Sequence, residues 1–244
     1  MTARLVFRNS AGQEITTQDL KGFTGKVNWE VTGGEQVPAQ ARLLHQRARK
    51  AGGRGDYDRA LTFLGQTQAL APAWPYPPYD AAFTILLQGD TAKAEELYER
   101  VDRLAPRGFF TRKTALDMLR RERAGTLFTG FSMAFIRLEW VSDPEKKKAI
   151  LQGIVARHPQ FPPAWEELAT LMTGSHDQLQ AIAKGLESNP DLETKGMLLI
   201  NKALLLRRGG DQETAIHILG ELTLDPSSTL GTETLAKVAL AGMF

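Results

Sequence analysis

The chain has 244 residues, of which 42% are hydrophobic and 24% are charged. This balance is typical of a folded globular protein and excludes wholesale disorder. The sequence contains no cysteine, which excludes disulfide bonds, thiolate catalysis and cysteine-ligated zinc. No apolar run approaches the roughly 18 residues that a membrane span requires, and the first residues do not form the apolar region of a signal peptide. We therefore expect a cytoplasmic protein that does not enter a membrane.

The net charge is only +2, but basic and acidic residues are unevenly distributed along the chain. Residues 1–160 contain 24 Lys/Arg and 17 Asp/Glu, whereas residues 161–244 contain 6 and 11. Such a division predicts a polarised surface field that can steer a charged partner towards the protein.

Residues 1–36 differ from the rest of the chain because their hydrophobic pattern has the period of a strand. The segment 26–31 alternates polar and apolar residues, and segments 4–9 and 13–17 flank a turn-like sequence across which they can pair as a hairpin. Thr17 is placed to begin a short helical turn. We predict a small N-terminal antiparallel β element of two or three strands. Its alternative roles are to cap the end of the following domain or to pair through its edge with another chain.

Two segments of the chain match each other at a spacing of 34 residues. The first, GDYDRALTFLGQTQALAP, covers 55–72, and the second, GDTAKAEELYERVDRLAP, covers 89–106. Seven positions correspond in a single register, which indicates a true repeat. The corresponding positions are Gly55/Gly89, Asp56/Asp90, Ala60/Ala94, Leu64/Tyr98, Leu70/Leu104, Ala71/Ala105 and Pro72/Pro106.

Each corresponding position has a mechanical role in a helical hairpin. The Gly-Asp pair permits the positive-φ turn that ends one helix and then caps the next. The small alanine lets two helices approach closely, and the larger residue four positions later fills the same face one turn further along. Proline then ends the second helix. The unit is therefore predicted to be helix–turn–helix–turn.

This pattern resembles the tetratricopeptide repeat (TPR) family, in which W-x2-L-G-x2-Y is followed by A-x3-F and then P. The resemblance implies an all-α fold, a helical-hairpin repeat superhelix of the solenoid type, with a concave groove that binds other proteins. Looser matches around Trp165 and Gly210-Asp211 extend the pattern along the chain. We predict a β element at 1–36 and a TPR-like domain at 37–244, with repeats near 41–74, 75–108, 128–161, 162–192 and 193–227, an irregular helix at 109–127 and a capping helix at 229–242.

No constellation in the sequence predicts catalysis. The four histidines follow no metal-ligand spacing. The contiguous Ser175-His176-Asp177 is not expected to be a catalytic triad, because the members of a triad converge from separate chain segments. It indicates the start of a helix instead. The sequence contains neither G-x-x-x-x-G-K-S/T nor G-x-G-x-x-G, the two glycine-rich patterns of phosphate-binding loops. We therefore predict a protein that is not an enzyme and that has no cofactor and no metal.

The resemblance also implies a binding surface, because ligands of the family usually lie in the groove lined by the first helix of each repeat. Transferring the family's groove positions onto this sequence selects aromatic and basic residues. They predict an apolar, aromatic patch flanked by cations, which suits a peptide with apolar anchors and acidic neighbours. The candidates are Arg42, His45, Arg49, Tyr76, Tyr79, Phe83, Lys113, Arg120 and Arg121, with Leu86, Leu87, Phe110 and Asp117 at the remaining positions.

The sequence is compatible with three functions. The first is a protein–protein interaction adaptor or scaffold that binds a peptide or protein partner, acidic or mixed in charge, in the concave groove. The alternative is a structural homo-oligomerisation module, a homodimer that uses the sheet edge or the Phe-rich segment 128–140. A weaker alternative is nucleic-acid binding through 120–126 and 146–148, since helical repeats of related families bind RNA. The nearly balanced overall charge argues against the last.

Overall fold

The computed structural model describes residues 4–8, 12–15, 28–32 and 37–242. Between residues 39 and 241 the chain forms twelve α-helices and one short 3-10 helix. Within these described ranges, no helix has the length and apolar character needed to cross a membrane. The helices are α1 (Ala39–Gly52), α2 (Tyr57–Leu70), α3 (Tyr76–Leu87), α4 (Thr91–Leu104), α5 (Arg112–Arg123), α6 (Phe131–Ile136), the 3-10 helix (Arg137–Trp140), α7 (Pro144–Arg157), α8 (Pro162–Leu171), α9 (Ser175–Glu187), α10 (Leu192–Arg208), α11 (Gln212–Leu224) and α12 (Leu230–Ala241).

Consecutive helices pack as hairpins, α1 with α2, α3 with α4, α8 with α9 and α10 with α11. The first two hairpins reproduce the spacing of 34 residues that the sequence shows, because α2 begins at Tyr57 and α4 at Thr91. The predicted all-α, helical-hairpin repeat fold is confirmed.

The Gly-Asp turns have the conformation that their sequence predicts. Gly55 and Gly89 adopt φ of +78° and +90°, where a side chain would be strained. The side chains of Asp56 and Asp90 each accept a hydrogen bond from the backbone N–H three residues later, which caps α2 and α4. The alanine four residues after each aspartate is almost fully buried. Local turn chemistry therefore sets the repeat.

The C-terminal hairpin of α10 and α11 uses the same turn. Gly210 has φ of +93° and Asp211 caps α11 through the backbone N–H of Thr214. Ala215 is fully buried at the position equivalent to the repeat alanine. The α8–α9 hairpin differs, because Gly174 precedes α9 without a side-chain cap. The looser repeats of the sequence thus still fold into paired helices.

The middle of the chain departs from the repeat pattern. α5 occupies the centre of the predicted irregular helix at 109–127, and the loop after it is held by Glu122, whose carboxylate accepts a hydrogen bond from the backbone N–H of Gly130 at 2.5 Å. The structure differs from the hairpin predicted at 128–161, since α6 has only six residues and tightens into the 3-10 helix. The proline that begins α7 favours an extended Asp143, so the earlier helix cannot run through this point.

The hydrophobic core is divided into three clusters along the helices. The largest joins side chains of α5 to α10 and includes Phe131, Leu151 and Leu168. A second cluster lies between α3, α4 and α5, and a third holds α10, α11 and α12 together. The irregular middle segment is therefore anchored by the largest cluster rather than by the repeat pattern.

The C-terminal helices fold back onto the connection between α4 and α5. The backbone N–H of Leu230 donates to the Arg107 carbonyl at 2.7 Å, and the Arg107 guanidinium pairs with Glu233 at 2.5 Å. Gly108 lies so close to Thr229 that an added Cβ would stand 2.9 Å from the Thr229 Cβ. In a regular array each repeat contacts only its neighbours. Here the ion pair joins residues 126 positions apart, so the last helices also contact the middle of the chain.

Three short strands lie in the described part of the first 36 residues. The strands are β1 (Arg4–Arg8), β2 (Glu14–Ile15) and β3 (Asn28–Thr32). They form an antiparallel sheet in the order β2-β1-β3, in whose backbone register Phe7 is paired with Ile15 on one side and with Trp29 on the other. The helical turn predicted at Thr17 lies outside the described residues. The two roles of the sheet, capping or edge pairing, stay predictions.

Candidate binding groove

A groove with a cavity volume of about 1020 Å³ runs between the hairpins. Its walls come from α1, α2, α3, α5, the α6 and 3-10 segment, α8, α10 and α12, with Tyr98 of α4 reaching in. The volume equals the upper end of the range for ligand sites. The lining includes Arg49, Tyr79, Asp80, Phe83, Tyr98, Phe110, Glu139, Trp140, Pro163, Glu166, Glu167, Glu193, Thr194, Met197 and Leu235.

Aromatic side chains form one wall of the groove. The rings of Tyr79 and Phe110 lie 5.3 Å apart, and Phe83 meets Trp140 edge-on at 6.5 Å. Trp140 is 58% exposed. Burial raises the pKa of Tyr79 to about 12 and that of Tyr98 well above its usual value. Both phenols are therefore neutral near pH 7 and can donate hydrogen bonds.

Carboxylates dominate the charge of the groove. Its lining contains five acidic residues but only one basic residue, Arg49. Glu167 is paired with Lys147 at 2.6 Å. Glu166 has no hydrogen-bond or ion-pair partner among the described residues, and burial raises its pKa to about 7. Across the described ranges, acidic and histidine side chains do not assemble in threes as a metal ion requires.

Glu193 lies deepest among these carboxylates and joins α10 to α5. Its Oε2 accepts hydrogen bonds from the backbone N–H groups of Lys113 and Thr114, at 2.7 and 3.1 Å, so it caps the start of α5. The residue is 8% exposed, and its Oε1 has no hydrogen-bond partner among the described atoms. Burial raises the pKa of Glu193 to about 8. An unsatisfied acceptor is thus held in the groove wall.

His45 and Tyr76 support the groove rather than line it. His45 is 6% exposed, and its Nε2 lies 2.8 Å from the Asp80 carboxylate. The imidazole also contacts Trp74 at 4.8 Å and Tyr76 at 5.6 Å. These contacts position Asp80 at the groove surface, and Arg49 lies 3.9 Å from the same carboxylate. Arg42, also on α1, is exposed and does not line the groove.

The three cations predicted on α5 are occupied by partners within the chain. Lys113 pairs with Asp102 at 3.4 Å, and Arg120 pairs with Glu99 at 3.2 Å. Arg121 pairs with Asp117 at 2.6 Å and also donates to two backbone carbonyls in the loops before α8 and α10. None of the three lines the groove. Among the described residues, Arg49 is therefore the one cation of the expected basic flank that lines the groove, and carboxylates outnumber it.

The chain is similar to tetratricopeptide-repeat proteins of known structure. YrrB, described as a TPR protein with an unusual peptide-binding site, is 13% identical, with 84% of this chain and 98% of that chain covered and a TM-score of 0.35. TTC0263, a TPR protein of Thermus thermophilus, is 16% identical over 82% of this chain and 99% of its own, with a TM-score of 0.35. MamA of Desulfovibrio magneticus RS-1 is 16% identical, with 76% of this chain and 94% of that chain covered and a TM-score of 0.36. No protein-family model and no curated protein matches the chain.

The groove contains some predicted residues and several that were missed. Of the nine candidates predicted from the sequence, Arg49, Tyr79 and Phe83 line it. The missed residues on α8 and α10 follow the same positional rule, because the second and fifth positions of the repeats at 162 and 193 are Pro163, Glu166, Thr194 and Met197, and all four line the groove. Glu193 follows no such rule, because its role depends on the contact between α10 and α5.

Proposed function

We propose that this protein is a protein-interaction module that binds an extended segment of a partner protein in the central groove and catalyses no reaction. One observation carries the proposal, namely a groove of about 1020 Å³ that combines an aromatic wall with a few carboxylates. Buried aromatic surface supplies most of the binding energy in protein recognition, while a few placed polar groups give orientation. Because the groove is concave, a chain segment fits it better than a flat protein surface does.

A second candidate function is self-association through the segment 128–140. Phe128 and Trp140 are 57% and 58% exposed, which is unusual for side chains of this size. A homodimer that covers both rings would remove this apolar surface from water. Nucleic-acid binding through 120–126 receives less support, because Arg120 and Arg121 are paired with carboxylates of the same chain.

Peptide display tests the groove proposal directly. A library of random ten-residue peptides is selected on the full chain, and the enriched peptides are measured by fluorescence polarisation. Trp140→Ala removes an exposed ring at the groove, whereas Phe128→Ala removes an equally exposed ring outside its lining. We expect Trp140→Ala to weaken binding about tenfold or more, as for an interface anchor, and Phe128→Ala to leave it unchanged.

The same variants separate the two candidates. Far-UV circular dichroism and a thermal melt establish that each variant is folded. If no peptide is enriched, or if the two variants lose binding equally, the groove proposal is wrong. Light scattering over a wide concentration range tests the second candidate, which requires a dimer in the wild type that Phe128→Ala weakens.

A further inference from the structure

We propose that the groove recognises a cationic side chain, a lysine or arginine of the bound segment, at the wall formed by Glu166 of α8 and Glu193 of α10. This inference rests on the proposed function, because it names the chemistry of the segment that the groove binds. It replaces the acidic or mixed partner expected from the sequence with a basic one.

The charges that remain after internal pairing favour a cation. The Asp80 carboxylate lies 2.8 Å from His45, and the Glu167 carboxylate lies 2.6 Å from Lys147, so both already have a partner within the chain. Glu166 is a lining residue without hydrogen-bond or ion-pair partner among the described residues. Arg49, the single basic residue of the lining, is 69% exposed and close to Asp80. Within the described part of the chain, no cation is therefore paired with Glu166.

One further polar atom in the lining, Oε1 of Glu193, has no hydrogen-bond partner in the described part of the chain. The Glu193 side chain is more than nine-tenths buried, and its Oε1 accepts no hydrogen bond. Buried polar groups are almost always satisfied, because an acceptor without a hydrogen bond loses the hydration that it has in water. A donor brought by a ligand would satisfy this oxygen when Glu193 is ionised.

The aromatic wall suits the same ligand. Tyr79, Phe110 and Trp140 line the groove, and a lysine or arginine head group is attracted to the faces of aromatic rings. The methylene stem of either side chain can lie against Met197 and Leu235, which also line the groove. An acidic side chain would instead meet the ionised carboxylates of a lining that contains only one basic residue, Arg49.

The test uses the peptides enriched by display on the full chain. We expect them to share a lysine or arginine at a fixed position. Glu166→Gln keeps the size of the side chain and removes its charge, and it should weaken these peptides about tenfold. Glu187→Gln, an exposed glutamate on α9 outside the lining, is the matched control and should have no effect. Replacing the peptide's lysine with uncharged norleucine should abolish the difference between wild type and Glu166→Gln.

The affinity should also depend on pH. Burial raises the pKa of Glu166 to about 7, and the charged groups that act on it are Glu167 of α8, Asp191 at the start of α10 and Lys147 of α7. The ionised carboxylate binds the cation, so affinity for a lysine peptide should rise from pH 6 to pH 8. In Glu166→Gln this rise should be smaller. Only the residual titration of Glu193, whose pKa burial raises to about 8, would remain.

The outcomes separate this inference from the proposed function. Peptides that require Trp140 but contain no conserved cation, and that bind Glu166→Gln as tightly as wild type, would overturn the inference and leave the groove proposal standing. Peptides that need neither Trp140 nor Glu166 would overturn both. A lysine peptide whose affinity falls between pH 6 and pH 8 would also contradict the inference.

Discussion

Replacing Glu193 tests the contact that joins α10 to α5. Its carboxylate accepts hydrogen bonds from the backbone N–H groups of Lys113 and Thr114 across about eighty residues of sequence. Glu193→Gln keeps a side-chain carbonyl in reach of these donors and removes the ionisable group. Glu193→Ala removes the acceptor and leaves two donors at the start of α5 without a side-chain partner. The two variants therefore separate hydrogen bonding from charge.

The expected magnitude follows from the pKa of Glu193, which burial raises from 4.5 to about 8. The folded protein keeps this proton up to about pH 8, whereas the unfolded chain loses it near pH 4.5, so the free energy of unfolding falls as the pH rises through this window. The two pKa values differ by about 3.5 pH units, and each unit corresponds to about 1.4 kcal/mol, which gives a loss of up to roughly 5 kcal/mol. Glu193→Gln cannot lose a proton. It should therefore match wild type near pH 5 and become the more stable protein by pH 8.5.

Urea unfolding monitored by tryptophan fluorescence at pH 5, 7 and 8.5 measures these differences. Glu193→Ala should be less stable than Glu193→Gln by roughly 2 kcal/mol at all three pH values, because it lacks the acceptor whatever the charge. The reasoning is refuted if wild type and Glu193→Gln change with pH in parallel. It is refuted equally if Glu193→Ala is as stable as Glu193→Gln at pH 5.

Three other substitutions test packing and hydrogen bonding elsewhere in the helices. Gly196→Ala places a methyl group on α10 about 2.6 Å from Thr232 Cγ2 of α12, so it should cost roughly 2 kcal/mol or more in urea unfolding. Gly153→Ala, in the exposed face of α7 with nothing within 4 Å, should instead stabilise the protein by about 0.5 to 1 kcal/mol. Arg121→Met should lower the free energy of unfolding by about 1 to 3 kcal/mol, since Arg121 donates to two loop carbonyls, and it should not change peptide affinity. Loss of affinity with unchanged stability would make Arg121 a binding residue after all.

The repeat could be predicted from the sequence because its signals are local. Gly55-Asp56 and Gly89-Asp90 each define a turn, a cap and the start of a helix within three residues, and the structure shows each of these features. The groove positions on the first helices followed from the resemblance to tetratricopeptide repeats, whose positional rule selects Tyr79 and Phe83, and both residues line the groove. The irregular segment around α6 was not predictable from periodicity, because its apolar residues satisfy a helix pattern that the 3-10 helix and Asp143-Pro144 interrupt.

The chemistry of the groove could not be predicted from charge along the chain, because folding pairs the two halves with each other. The basic first part supplies Arg107 to Glu233 at 2.5 Å and Lys147 to Glu167 at 2.6 Å, both acceptors belonging to the acidic last part. Arg120 pairs instead with a carboxylate of the first part of the chain, that of Glu99 at 3.2 Å. The cations predicted on α5 are thus paired within the chain, while Glu166 has no paired cation among the described residues of the groove. A partner selected by this groove should therefore be basic, opposite in sign to the partner that the basic first part of the sequence suggests.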